Sequence, residues 1–207
     1  MLPDIQFLYF DLGRVLLDFT HDRGFEQIAK AADIDVDQVK KVLQRDGLSD
    51  RYEMGELTTT EFHQQFCAAT DSTISCEELC LKWSDIFEPI PGSFRIAASL
   101  KAAGNRVGIL SNTCEAHWQF AAKSFPLLSQ IFDPVITSYE TKSMKPASGI
   151  YETAIKEANV GPANAFFVDD RLENVDGAKQ LGWNAVQFVS PYQLANDLER
   201  LGVSFNR

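Results

Sequence analysis

The sequence predicts an α/β protein: a parallel sheet flanked by helices, with a four-helix unit inserted after the first strand. Three features carry this expectation. From Ser93 onward, short apolar runs alternate with segments of helix length, the pattern of βαβ units and a parallel sheet. Near the N-terminus a single apolar run, Ile5 to Phe10, stands apart from that series and ends at Asp11. Between the two, roughly 65 to 70 residues show apolar side chains only at helical spacing.

Ile5 to Phe10 is short, apolar and rich in aromatics, as expected of a strand covered on both faces. From about His21 to Glu88 the segments "RGFEQIAKAA", "DVDQVKKVLQ", "TTTEFHQQFCAAT" and "SCEELCLKWSDIF" carry apolar residues at helical spacing, with Asp, Ser and Thr placed as N-caps. The two prolines of "EPIPG", Glu88 to Gly92, mark a boundary. Helix and strand then alternate: "SFRIAASLKAAG" (helix), "NRVGILSN" (strand), "AHWQFAAKSF" (helix), "FDPVITSYE" (strand), "SGIYETAIKEANV" (helix), "NAFFVDD" (strand), "LENVDGAKQLG" (helix) and "NAVQFV" (strand). The expected division is therefore an α/β core from residues 1–19 and 89–207, with a helical insertion over 20–88. At 207 residues the chain has room for such a core and a smaller inserted unit.

Composition narrows the function classes. A formal net charge of -10 disfavours nucleic acid as a partner, because binding a phosphate backbone relies on clustered Lys and Arg. No run approaches the roughly 18 apolar residues of a membrane span, and "MLPDIQ" has no basic region ahead of an apolar segment, so a cytoplasmic protein is expected. Cys67, Cys76, Cys80 and Cys114 match no zinc spacing and are expected to be free thiols. The expected assembly is a monomer or homodimer.

Functional-looking residues follow four of the strands. Asp11 follows the first; Ser111, Asn112 and Thr113 end "VGIL"; Lys142 and Lys145 follow "PVITSYE"; Asp169 and Asp170 end "AFFV". In a parallel α/β sheet these carboxyl edges converge on one crevice, where ligands bind. Adjacent carboxylates repel unless a cation or a proton intervenes, which makes Asp169 and Asp170 candidate metal ligands.

The ordered set "FDLGRVLLD", "ILSNT", "KP" and "FFVDDRLENVDGAKQLG" resembles the four motifs of the haloacid dehalogenase (HAD) superfamily, and the helical insertion resembles its C1-type cap. The resemblance spans nearly the whole chain and implies a Rossmann-like core. The combination of "DLG", "SNT" and "DDR" is similar to the sugar-phosphate phosphatase branch that includes α-D-glucose-1-phosphate phosphatases. It implies a Mg²⁺-dependent phosphatase acting on a small phosphorylated metabolite, with Asp11 as nucleophile and an aspartyl-phosphate intermediate. By the same resemblance Asp11, Asp170 and the Gly13 carbonyl would hold the metal, with Asp169 adjacent or bridged by water. Ser111 and the Asn112 amide would hold phosphate oxygens, and Lys145, which directly precedes Pro146, would neutralise charge. A phosphomonoester dianion repels a carboxylate, so such a nucleophile needs a screening cation.

Gly13 departs from the pattern. Phosphatases of this family usually carry a second Asp there, which protonates the leaving oxygen and later activates water. A carbonyl ligand survives the change, but the acid/base role does not, and Asp18 and His21 are its nearest substitutes in sequence. Two other functions therefore stay in play: a metal-independent dehalogenase-type hydrolase, whose members also lack that Asp, and a catalytically silent binding module. His117 and the three tryptophans Trp83, Trp118 and Trp183 are expected to pack; Arg14 and Arg171 flank the crevice; Arg51 and Glu53 lie in the insertion, where specificity would be set.

Overall fold

No side chain of strand β1 (Phe7–Phe10) reaches solvent, because this strand lies at the centre of a five-stranded sheet. The computed structural model describes residues 2–206, so the outer limits of the expected core, residues 1 and 207, lie outside it. The other strands of the sheet are β4 (Val107–Ser111), β5 (Val135–Thr137), β6 (Ala165–Asp169) and β7 (Asn184–Gln187), in the order β5-β4-β1-β6-β7 with every pairing parallel. The remaining strands, β2 (Leu17–Phe19) and β3 (Phe87–Pro89), form a separate antiparallel ribbon.

Alternation along β1 sets the two cores. Leu8 and Phe10 face one apolar cluster, and Phe7 and Tyr9 face the other. The first cluster is closed by helices α6 (Pro91–Ala102), α8 (Leu127–Ile131) and α12 (Pro191–Arg200), through Phe94, Leu128 and Leu194 among others. The second is closed by α10 (Ser148–Ala158) and α11 (Leu172–Gln180), through Ile150, Tyr151 and Val175. A strand apolar on both faces is stable only with helices on both sides, and this is the arrangement found.

Between β2 and β3 the chain is helical. The four expected helices are present as α1 (His21–Ala32), α2 (Val36–Lys40) continued by a π-type turn at Lys41–Arg45, α4 (Thr59–Thr70) and α5 (Cys76–Ser84). A further short helix, α3 (Leu48–Glu53), adds to them. Thr58 and Glu61 form a reciprocal capping box at the start of α4, and Ser75 caps α5 through the Glu78 N–H. These helices share their own apolar cluster, centred on Phe25, Tyr52, Phe62, Phe66 and Trp83. Cys114 and Ala116, at the start of α7 (Glu115–Ser124), complete it, so the insertion rests on that helix of the sheet domain.

The strand expected over "PVITSYE" ends at Thr137, and Ser138–Thr141 is a helical turn, α9. Local hydrogen bonds draw it off the ladder: the Thr141 hydroxyl donates to the Thr137 carbonyl at 2.9 Å, and the Thr137 hydroxyl to Glu140 at 2.5 Å. Trp83 and Trp183 are buried as expected, and Trp118 packs at the edge of the first cluster. Cys67, Cys76, Cys80 and Cys114 are free. Among the described residues no helix is long and apolar enough to cross a membrane.

Candidate active site

Register brings the acids together. Phe10 is level with Ile109 on one side and Val168 on the other, and the Asp11 N–H donates to the Val168 carbonyl at 2.9 Å. Asp11, Ser111 and Asp169 therefore emerge side by side at the carboxyl edge of three adjacent strands. Strand order reverses at β1, so this edge is also the topological switch point of the sheet.

Lys145 ties the floor of the crevice together. Its ammonium donates to Asp11 Oδ1 at 2.8 Å, Asp169 Oδ2 at 2.6 Å and the Leu110 carbonyl at 2.8 Å, which uses all three of its protons. Asn112 fixes the lysine's backbone: Asn112 Nδ2 donates to the Lys145 carbonyl at 2.9 Å, and the Lys145 N–H donates to Asn112 Oδ1 at 2.8 Å. The Asn112 side-chain amide is thus committed to the fold. Lys142 is exposed and outside the crevice, so of the two lysines Lys145 is the one brought to Asp11.

Asp169 is fully buried and saturated. Besides Lys145, its oxygens accept the Arg171 N–H at 2.8 Å and the Asn174 side-chain amide at 3.0 and 3.1 Å. Nothing in the sequence reading pointed to Asn174, whose only signal is its place in the first turn of the helix after "DD". Asp170 differs: it is half-buried and, among the described residues, has no cation within ion-pair distance. Asp11, Asp169 and Asp170 each present a carboxylate oxygen within 4.8 Å of the others, all hard donors suited to a small divalent cation.

These positions perturb ionisation. Burial pushes Asp11 up to about 7 despite Lys145, and Asp169 and Asp170 push it the same way. Burial alone would lower Lys145, but Asp11 and Asp169 outweigh it and hold the ammonium charged. Asp170 is raised by burial and by Asp169. Three carboxyl groups thus share one ammonium on this floor.

The wall opposite is apolar. Gly13 and Phe19 meet there: a Cβ at Gly13 would lie 2.7 Å from Phe19 Cε1, so the ring fills the space a side chain at position 13 would need. His21 packs edge-on against Phe19, and Trp83 and His117 stack beyond it. Burial lowers both imidazoles, His117 to about 3, and His117 Nε2 lies 3.2 Å from the Trp83 carbonyl. Asp18 points outward and pairs with Arg14 at 2.5 Å, so of the two substitutes named from sequence only His21 lines the crevice. Arg14 and Arg171 stand at the rim, and Arg171 is paired with Glu173.

The insertion supplies Glu53, at the end of α3. Its carbonyl accepts the Ser138 hydroxyl at 2.6 Å, and the same hydroxyl lies 2.9 Å from the Thr113 N–H and 3.0 Å from the Thr113 carbonyl. Two residues on, Gly55 (φ +71°) passes so close to the Tyr139 carbonyl that a Cβ would sit 2.1 Å from it. Any side chain there would lift this loop off α9. Burial, reinforced by Asp50 and opposed by Arg171, pushes the Glu53 carboxyl up to about 8.

Comparison with known proteins identifies the family. A family model described as haloacid dehalogenase-like hydrolase matches residues 7–182. The chain is 27% identical over 190 residues to a D-ribitol-5-phosphate phosphatase of Bacteroides thetaiotaomicron, covering 88% of this chain and 91% of that protein. A HAD family enzyme from the same organism, crystallised with magnesium and inorganic phosphate, superposes with a TM-score of 0.78 at 26% identity, over 90% of this chain and 95% of the other. A HAD-like family hydrolase from Porphyromonas gingivalis has the same fold, with a TM-score of 0.83 at 22% identity over 97% and 99% of the two chains.

Proposed function

The chain belongs to the haloacid dehalogenase-like hydrolases, and we propose that it is a Mg²⁺-dependent phosphatase of a small phosphorylated metabolite, a sugar or polyol phosphate, with Asp11 as its nucleophile. The observation that carries this is the floor itself: Asp11 held by Lys145 beside Asp169, with Asp170 unpaired next to them. The excess of clustered carboxyl groups over cations argues for a bound dication and against a metal-independent dehalogenase. The similarity to a HAD family enzyme crystallised with magnesium and inorganic phosphate, and to a D-ribitol-5-phosphate phosphatase, supports the metal and the substrate class.

In this reading residues 20–88 are a cap over a core of residues 1–19 and 89–207, and the crevice between them is the reaction chamber. Asp11, Asp170 and the Gly13 carbonyl would hold the metal, and Asp169, whose oxygens are already engaged, would act through a water. Mg²⁺ bound there would screen the phosphate dianion from the carboxylate that attacks it. Asp11 Oδ attacks phosphorus, the bond to the leaving oxygen breaks, and water later hydrolyses the aspartyl phosphate. Lys145 opposes the rise at Asp11 and would offset the charge of the phosphoryl group. Ser111 would donate its hydroxyl to a phosphate oxygen, and Asn112, its side chain being committed to Lys145, would contribute its backbone N–H. The crevice encloses about 180 Å³, which suits a phosphate on a short carbon skeleton.

A panel of sugar and polyol phosphates, D-ribitol 5-phosphate included, assayed with and without Mg²⁺ and repeated on Asp11→Asn, tests this. Phosphate release that needs both the ion and the carboxylate is expected. Activity persisting in Asp11→Asn, or indifferent to EDTA, would reject it.

A further inference from the structure

An alkoxide is a poor leaving group, and expelling one calls for a proton donor on the side of phosphorus away from Asp11. Position 13 offers no side chain, and the Phe19 ring closes that space. Asp18 is turned outward, paired with Arg14. His21 and His117 line the crevice, but burial holds both neutral near pH 7, with no proton to give. The proton must come from elsewhere in the chamber.

We infer that Glu53, delivered from the insertion, is the general acid and base of this enzyme, giving its proton to the leaving oxygen and recovering one from the hydrolytic water. This rests on the phosphatase reading above. Its support is positional. Glu53 is the carboxyl that the helical insertion contributes to the crevice lining. Its main chain is pinned to the sheet domain through Ser138, whose hydroxyl also accepts the N–H of Thr113, one residue beyond Asn112. Gly55 lets the same loop lie directly on the Tyr139 carbonyl. The loop is therefore docked on the strand ends, and among the described residues no hydrogen bond or ion pair occupies the Glu53 carboxyl.

The groups facing that carboxyl are consistent with the role. Asp50 on its own helix, Cys114 at the start of α7 and Arg171 at the start of α11 are its charged or titratable neighbours, and His21 and His117 share the chamber. Burial and Asp50 outweigh Arg171, so the carboxyl carries its proton near neutral pH. The proton balance closes. As the Asp11–phosphorus bond forms and the phosphorus–oxygen bond breaks, the electron pair passes to the leaving oxygen, which takes the Glu53 proton and departs as a neutral alcohol. Water then attacks phosphorus, its proton returns to the Glu53 carboxylate, and Asp11 leaves as a carboxylate.

Wild type, Glu53→Gln and Glu53→Asp are compared on an alkyl phosphate and on p-nitrophenyl phosphate, whose phenolate departs without a proton. Gln mimics the shape of the neutral acid, and thermal melting verifies the fold. Glu53→Gln should lose about 10²- to 10⁴-fold in kcat/KM on the alkyl ester and little on the aryl ester, with Glu53→Asp in between. In wild type, kcat/KM for the alkyl ester should fall as pH rises past about 8, and Glu53→Gln should lack that limb. Equal losses on both esters, or an unchanged pH limb, would overturn the assignment while leaving the phosphatase reading intact. Release of phosphate from neither ester by wild type would overturn both.

Discussion

The two walls of the crevice bury carboxyl groups in different company. On the floor, Asp11 and Asp169 share Lys145 at 2.8 and 2.6 Å, and backbone and amide N–H groups satisfy the rest of Asp169. On the side of the helical insertion, Glu53 meets no cation at bonding distance among the described residues and is pushed up to about 8. Desolvation is the largest influence on Asp11 and Glu53 alike. What separates them is the partner: Lys145 opposes the rise at Asp11 from hydrogen-bonding distance, whereas Arg171 opposes it at Glu53 without a hydrogen bond. In the proposed reaction one carboxyl would serve as nucleophile and another as proton donor, and the two walls offer those different settings.

The largest effect should come from the floor. Asp11→Asn should reduce phosphate release by roughly 10⁴-fold or more, the scale on which loss of a nucleophile is felt, with folding intact by circular dichroism. A residual rate near that of wild type would break the contrast at its root. Lys145→Met keeps the stem and removes the ammonium, leaving Asp11 and Asp169 buried without their cation. Chemical denaturation should show a loss of about 3–5 kcal/mol, and an unchanged midpoint would mean that the ion pairs contribute nothing net.

The apolar wall is sharpened by pH. His117 is lowered from 6.5 to about 3 by burial, so between those values the unfolded state takes up a proton that the folded state refuses. That contribution to stability is complete above pH 6.5 and is lost progressively as pH falls toward 3, by up to about 5 kcal/mol. Raised carboxyl groups such as Glu53 act with the opposite sign, so the diagnostic is a difference. His117→Phe should flatten the acid limb of the stability profile relative to wild type, and parallel limbs would count against a neutral buried imidazole. The smallest effect is steric. Gly13→Ala pushes a Cβ against Phe19 and should cost about 1–3 kcal/mol, and Phe19→Leu in the same chain should recover part of it. Additive costs in the double mutant would show that the ring does not press on position 13.

Much of the floor was legible from sequence because each part is local. An apolar run ending in Asp11, "ILSN", "KP" and "FFVDD" each declare a strand end or a loop beside one, and parallel pairing obliges such ends to converge. The short pieces were not legible. Helices α3 and α8 have six and five residues, and β2 and β3 have three each, too few for a period to show. The C-terminal helix α12 lies beyond the last element that the alternation called for. Within the site, Asn174 could not be foreseen, since an Asn in the first turn of a helix reads as local capping until its amide is found on Asp169.

By itself, then, the sequence determined the α/β alternation, the helical insertion and the acids at the strand ends, because these follow from spacing between near neighbours and from the rule that buried backbone must pair. Only the tertiary structure decided that Phe19 fills the space at Gly13, that Ser138 anchors the Glu53 loop 85 residues away in sequence, and that Asp11 meets an ammonium where, among the described residues, Glu53 meets none. Those outcomes depend on which side chains meet across the crevice and on how much water they exclude. Both are properties of the packed surface and are written in no single segment of the chain.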